Sequence, residues 1–96
     1  MTTIQLPMTD HAAIRQRQRG IPDALLALLL RFGTRKRGNF GTIRAFFDKR
    51  SRARLRRELG VKGYARWEAQ MNSYAVLSED AVVITVGHRL MRFHRR

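Results

Sequence analysis

The sequence predicts an α+β fold in which N-terminal helices pack on a small antiparallel β-sheet. Three observations indicate this. The 96 residues leave room for one compact domain, taken as residues 1–96. Leucine-rich stretches with helix-capping residues fill the first third of the chain. Two β-branched segments joined by a short polar turn come near the end, as in a β-hairpin.

The first helix is predicted over residues 11–19. Thr9 or Asp10 offers an N-cap side chain, and Gly20 suits the position just after the last turn. Residues 1–9 are predicted to be an irregular lead-in or a short edge strand. Such a strand would stop at Pro7, because proline has no backbone N–H to donate to a sheet. The chain therefore enters its first helix after little regular structure.

The second helix begins near Pro22, which suits a first helical turn, and ends at Gly33. Asp23 lies favourably near the positive end of the helix dipole. Leucines and a phenylalanine make this helix apolar nearly all round: Leu25, Leu26, Leu28, Leu29, Leu30 and Phe32. A helix of this kind is buried on most sides.

The middle of the chain alternates between polar and apolar segments. Residues 34–41 contain glycine, asparagine and three consecutive cations, which predicts a loop with a basic tip. Residues 42–47 are rich in β-formers and predict a strand. Asp48 then offers a cap for a third helix over residues 49–59, which Gly60 ends. Residues 61–71 place aromatic residues and methionine at helical spacing, so we expect a short fourth helix.

Two strands are predicted near the C-terminus, over residues 73–77 and 81–87, with residues 78–80 as the hairpin connection. The second is almost continuously apolar, as in a central strand that is covered on both faces. The residues expected to share one core are Leu26, Leu29, Phe46, Val76, Ile84 and Val86.

The composition narrows the classes of function. Twenty Lys and Arg against seven Asp and Glu give a net charge of +13, which indicates a polyanionic partner: nucleic acid first, an acidic protein second, an anionic membrane surface third. The absence of cysteine excludes disulfides and thiolate zinc sites. Histidines and acids lack metal-ligand spacing, so no metal or cofactor is expected. Without an apolar run of bilayer length or a signal peptide, we expect a cytoplasmic protein with no membrane segment.

The densest basic segment covers residues 49–57, where six of nine side chains are cationic: Lys49, Arg50, Arg52, Arg54, Arg56 and Arg57. On a helix, like charges four residues apart repel and destabilise it. An anionic ligand would relieve this repulsion, so the segment predicts a phosphate-binding surface. The alternative is a merely solvated helix face.

Two further basic elements accompany a histidine. His11, Arg15 and Arg19 form one stripe on the first helix, and solvation alone is an equal alternative for them. At the end of the last strand, alternation places Arg89 on the face of Gly87, where a ligand could approach closely, and His88 on the other face. Arg92 follows in the basic tail and is a further predicted nucleic-acid-binding residue. A bulge at Gly87 and a structural role for His88 are the alternatives.

Two segments resemble a known superfamily. The pattern HxxxRxxxRGIP over residues 11–22, followed by the leucine-rich helix, is similar to the start of small bacterial domains related to RelE-like toxins. The run VITVGHR over residues 83–89 resembles the last core strand of the RelE/ParE superfamily. A basic helix over residues 49–59 interrupts the family's usual sheet, and no aromatic residue follows His94.

The resemblance implies a RelE-like α+β fold and metal-independent RNA cleavage, in which cations hold the scissile phosphate and the 2′-hydroxyl is the nucleophile. We therefore predict an RNA-binding, toxin-like endoribonuclease. His88 or His11 would transfer protons. Arg89 would clamp the phosphate together with Arg15 and Arg19, and the cations of residues 49–57 would dock the RNA. The alternatives are a non-catalytic nucleic-acid-binding accessory protein and a basic protein that docks on an acidic partner such as an antitoxin.

Overall fold

A computed structural model describes residues 6–89 and has the predicted α+β architecture. Three helices and four strands follow in the order α1 (Asp10–Gln18), α2 (Asp23–Phe32), β1 (Thr34–Arg37), β2 (Ile43–Phe46), α3 (Lys49–Ala65), β3 (Ser73–Leu77) and β4 (Val83–His88). Single turns of 3-10 helix cover Asn39–Gly41 and Glu68–Gln70. The predicted lead-in over residues 1–9 and the basic tail, including Arg92, lie largely outside the described residues.

The four strands form one antiparallel sheet in the order β1-β2-β3-β4. Beyond β4, the N-terminal segment adds a parallel bridge between Met8 and Val83, and the Thr9 amide donates to the Val83 carbonyl at 2.9 Å. The prediction that β4 is a central strand covered on both faces is wrong. β4 is the last of the four strands in the sheet, and only part of its apolar run is buried.

The core lies between the helices and one face of the sheet. Helices α1, α2 and α3 contribute Ala12, Leu25, Leu26, Leu29 and Leu55 to it. The strands contribute Ala45, Ala75, Leu77, Val83 and Val86. Ala45, Ala75 and Val86 stand directly opposite one another on β2, β3 and β4, so a single row of small side chains leaves room for α2.

The predicted core is right for Leu26, Leu29 and Val86 and wrong for three strand residues. Phe46 and Val76 are only partly buried, because successive side chains of a strand alternate and their neighbours Ala45 and Ala75 take the core positions. A register shift between β3 and β4 beside Val76 leaves Ile84 partly exposed as well. The three wrongly predicted residues are all apolar, and the hydrophobicity of a residue does not determine which face of the strand its side chain is on.

The first half of the predicted basic loop is a strand. Thr34–Arg37 pairs with β2 over its whole length, with Lys36 opposite Arg44. Consecutive cations have little β-propensity, but hydrogen-bonded pairing with β2 overrides this local preference. The loop is thereby reduced to a tight connection around Asn39–Gly41.

Helix α3 begins as predicted and continues further. The Asp48 side chain accepts from the Ser51 amide at 2.9 Å, and the Ser51 hydroxyl accepts from the Asp48 amide at 2.8 Å, which completes a capping box. At Gly60 the backbone leaves the helical conformation (φ 77°), as the glycine predicted. The chain is helical again up to Ala65, so the predicted fourth helix is the last turn of α3 plus a 3-10 turn.

Candidate nucleic-acid interface

The sheet face opposite the core, here called the open face, has no described helix packed on it. Its residues form two rows that run across all four strands. One row is Thr34, Phe46, Tyr74 and Gly87; the other is Lys36, Arg44, Val76 and Thr85. The helices contribute to the core on the other side, and neither Phe46 nor Tyr74 belongs to the core cluster. Aromatic and charged groups are thus presented together on one surface.

Two aromatic rings lie side by side on the open face. Phe46 and Tyr74 stand directly opposite each other on β2 and β3. The Tyr74 ring reaches over Gly87 of β4, where an added Cβ would lie 3.0 Å from its hydroxyl oxygen and 3.1 Å from two of its ring carbons. Gly87 therefore lets Tyr74 lie close to the sheet, so a neighbouring side chain occupies the space in which the sequence predicted the close approach of a ligand.

Cations surround these rings. Lys36 and Arg44 stand directly opposite each other on β1 and β2, with Cβ atoms roughly 4.5–5.5 Å apart. Both side chains are exposed. Two like charges at this spacing destabilise a sheet, so folding alone does not favour the pair.

Arg89 reaches from the end of β4 across β3 to β2. Its Nη2 donates to the Phe47 carbonyl at 2.8 Å, and its Cζ lies 5.0 Å from the centroid of the Phe46 ring. The backbone of Arg89 is fixed by Asn72, whose carbonyl accepts the Arg89 amide at 2.7 Å and whose Nδ2 donates to the Arg89 carbonyl at 3.1 Å. The guanidinium group is therefore held against an aromatic ring on the open face.

Arg89 lies in a positive field. Burial lowers the pKa of its guanidinium group below the usual value; the charges of Arg52 and Arg44 lower it further, and Asp48 opposes them. The Nε atoms of Arg52 and Arg89 are buried and meet no hydrogen-bond acceptor within the described part of the chain. Lys36, Arg44, Arg52 and Arg89, here called the cation cluster, thus concentrate positive charge that Asp48 offsets only in part.

The cations of α3 divide between several surfaces. Arg52 joins the cation cluster, whereas the Arg54 Nη2 donates to the Phe32 carbonyl at 3.0 Å and so caps the end of α2. Arg56 lies over the Tyr64 ring at 4.9 Å. The exposed residues Lys49 and Arg50 border a groove between α3 and the start of β1, and Arg57 is exposed. The cations of residues 49–57 therefore do not all lie on the single docking surface that the sequence predicted.

The stripe on α1 lies apart from the open face. Ala12 and Gln16 form the buried side of α1, and the side-chain Nε2 of Gln16 donates to the Ile21 carbonyl at 3.0 Å. His11 and Arg19 are exposed, and Arg15 is half-buried. Because α1 packs on the core side of the sheet, none of these three joins the cation cluster.

The two described histidines are not placed together with Arg89. His88 is exposed opposite Ser73, a core-face residue, and so alternates away from Arg89. His11 lies in the first turn of α1, two residues after Thr9, whose hydroxyl donates to the Ile84 carbonyl at the start of β4. His88 lies four residues further along β4, or about 13 Å. The structure does not gather the residues of the predicted catalytic group on one surface.

Four residues of the open face were not predicted as binding residues from the sequence: Lys36, Arg44, Phe46 and Tyr74. The only signal was Arg44, the one charged residue of the β2 sequence IRAF, because a strand places residues two apart on the same face. Ile43 and Ala45 form the set that faces the helices, which leaves Arg44 and Phe46 together on the other face.

Neither a candidate metal site nor a membrane-spanning helix is found in residues 6–89. No group of three or more His, Cys, Asp or Glu side chains there could hold a metal ion. None of the helices described has the length and apolar character needed to cross a bilayer.

No protein-family model, curated protein or solved structure matches the chain. The resemblance of residues 83–89 to the RelE/ParE superfamily therefore stays a prediction.

Proposed function

We propose that the protein binds RNA on the open face, with its backbone phosphates on the cation cluster. Its unpaired bases lie against Phe46 and Tyr74, here called the aromatic row. The observation that carries the proposal is a groove on the sheet face without a described helix, in which Arg44 and Arg89 lie beside Phe46. The charge of Arg52 adds to theirs, because it also acts on Arg89. Arg44 and Arg52 come from consecutive elements, β2 and α3, and Arg89 comes from the distant end of β4, so the fold concentrates their charge in one place.

Phosphate is the anion that fits this cluster best. Arginine presents planar N–H donors that match phosphate oxygens, and an anion bound here would offset the mutual repulsion of Arg44, Arg52 and Arg89. Asp48, the acid that acts on Arg89, already accepts hydrogen bonds from Thr34 and Ser51. A polyphosphate chain supplies several such anions along one line.

The aromatic row favours single-stranded over duplex segments. Bases can stack on Tyr74 or on the outer side of the Arg89–Phe46 pair only when they are unpaired. We therefore name single-stranded RNA, or loops within folded RNA, as the ligand. We place the activity in the cytoplasm, where a basic chain without cysteine meets RNA in a reducing environment.

Binding is better supported than cleavage. General acid–base chemistry needs a proton-transferring group within hydrogen-bond reach of the reacting oxygens, and neither described histidine lies on the open face. RelE-type cleavage stays a prediction, which a denaturing gel of RNA incubated with the protein and EDTA would test.

The proposal is tested by the salt dependence of RNA affinity. Fluorescence anisotropy with a labelled single-stranded RNA of about 16 nucleotides is measured between about 50 and 200 mM salt. The double variant Lys36→Gln/Arg44→Gln removes two exposed cations of the open face. We expect its affinity to fall at least tenfold at low salt. The slope of log K against log salt should become shallower by about 0.7 for each phosphate that the variant no longer neutralises.

The matched control is Arg17→Gln/Arg19→Gln, which removes the same charge from exposed positions on and beside α1. Equal decreases of affinity in the two double variants would show that net charge, and not the open face, determines binding. Tighter binding to an acidic peptide than to RNA would instead support a protein partner. Duplex RNA or DNA bound as tightly as the single strand would contradict the proposed role of the aromatic row.

A further inference from the structure

Phe40 is the most conspicuous side chain that the cation cluster does not include. It lies at the tip of the β1–β2 hairpin and is 100% exposed. Its backbone adopts the left-handed conformation (φ 58°, ψ 39°), which a bulky residue rarely takes. Neither burial nor backbone preference explains a phenylalanine here, and such an exposed, strained residue indicates a role in recognition.

Hydrogen bonds and one close contact hold the backbone of the hairpin tip on either side of Phe40. The Gly38 amide donates to the Thr42 carbonyl at 2.8 Å, and the Thr42 hydroxyl donates to the Asn39 carbonyl at 2.7 Å. Below the tip, the Glu79 carboxylate packs so closely on Gly41 that an added Cβ would lie 2.8 Å from its Oε2. The loop is thus braced against the β3–β4 turn, and the Phe40 ring points outward.

The tip is continuous with the open face. A groove lined by Gly38 and Asn39, the residues just before Phe40, runs along Lys36, Arg37 and Arg44 to the stacked pair of Phe46 and Arg89. A strand of RNA whose phosphates follow these cations would bring its next bases to the hairpin tip.

We propose that Phe40 stacks on an unpaired base of the bound RNA, as a second contact beyond the cation cluster. This inference rests on the proposed function and names a further contact within it. A single exposed aromatic ring is enough for a base to stack on, because every base has an aromatic face. An apolar protein partner would need a wider patch, and Gly38, Asn39 and Gly41 beside Phe40 offer little apolar surface.

The experiment uses single-stranded RNA carrying 2-aminopurine, a fluorescent base whose emission falls when it stacks. Phe40→Leu keeps an apolar side chain at the same strained position but removes the aromatic face, whereas Phe40→Trp keeps that face. Neither change alters charge, and the fully exposed side chain contributes nothing to the core. Val61→Ala, at another large hydrophobic side chain with high exposure (79%), is the matched control.

We expect Phe40→Leu to abolish the quenching at one position of the probe and to weaken RNA binding by roughly 5- to 100-fold. The salt slope should equal that of the wild type, because the same number of phosphates is neutralised. Phe40→Trp and Val61→Ala should retain both quenching and affinity.

Full RNA affinity and quenching in Phe40→Leu would overturn the inference and show that any apolar group suffices at the hairpin tip. An equal decrease of affinity in Val61→Ala would overturn it too. These results leave the proposed function standing. Failure of the wild-type protein to bind RNA at low salt would overturn both.

Discussion

The two faces of the sheet use the same four strands for opposite purposes. On the core face, Ala45, Ala75 and Val86 are small or β-branched and nearly inaccessible. On the open face, their neighbours in the chain include Arg44, Phe46 and Tyr74, which are charged or aromatic and incompletely buried. Folding therefore accounts for one set of alternate residues and leaves the other set to be explained by a ligand.

The core also fixes the geometry of the interface. A shift of one residue in the pairing of a strand would move its core set to the open face. Ala45, Ala75 and Leu77 share the core cluster with the leucines of α2, and the loss of this burial opposes such a shift. The core thereby keeps Arg44 beside Lys36 and Phe46 beside Tyr74.

The largest effect on stability is expected from Leu29→Ala in α2. Leu29 is 1% exposed within the core cluster, and its truncation should lower the free energy of unfolding by about 2–5 kcal/mol. Urea denaturation measures this decrease. RNA affinity per folded molecule should be unchanged, because the variant leaves the open face intact. Weaker binding in conditions where the variant is fully folded would contradict the separation of the two faces.

A smaller effect on stability is expected at Asp48, which lies between the end of β2 and the start of α3. Asp48→Ala removes the N-cap acceptor and should lower stability by about 1 kcal/mol. The hydrogen bond from the Ser51 amide, followed by that from the Thr34 hydroxyl, lowers the pKa of Asp48 from 3.8 to about 2. The folded state thus favours the ionised carboxylate, so its contribution is present above pH 3.8 and disappears as the pH falls towards 2.

Asp48→Asn is the control for this prediction, because asparagine is also a good N-cap but does not titrate. Its stability at neutral pH should lie closer to that of the wild type, and its acid-induced decrease in stability should be smaller. Identical acid profiles for the wild type and Asp48→Asn would show that the cap does not depend on the charge.

Much of the fold could be predicted because its signals are local. Thr9, Pro22 and Asp48 mark helix starts, Gly60 marks a break in α3, and residues 73–77 alternate in the way that β3 does. Strand β1 could not be predicted, because its three consecutive cations become a strand only through pairing with β2.

The interface was predicted in part. Arg52 and Arg89 were expected to bind phosphate, but nothing local shows that Arg89 crosses β3 to reach Phe46, or that residues 44, 52 and 89 converge. Phe46 was assigned to the core because it is apolar. Its true position depends on the registration of β2 against β3, a tertiary property.

The central claim, that RNA binds the open face, is tested most directly by amide correlation NMR spectra recorded during an RNA titration. The shifts should concentrate at Lys36, Arg44, Phe46, Tyr74 and Gly87, with Ala12 and Gln16 of α1 nearly unchanged. Shifts centred on α1 around Arg15 and Arg19, with the strand residues unmoved, would contradict the claim.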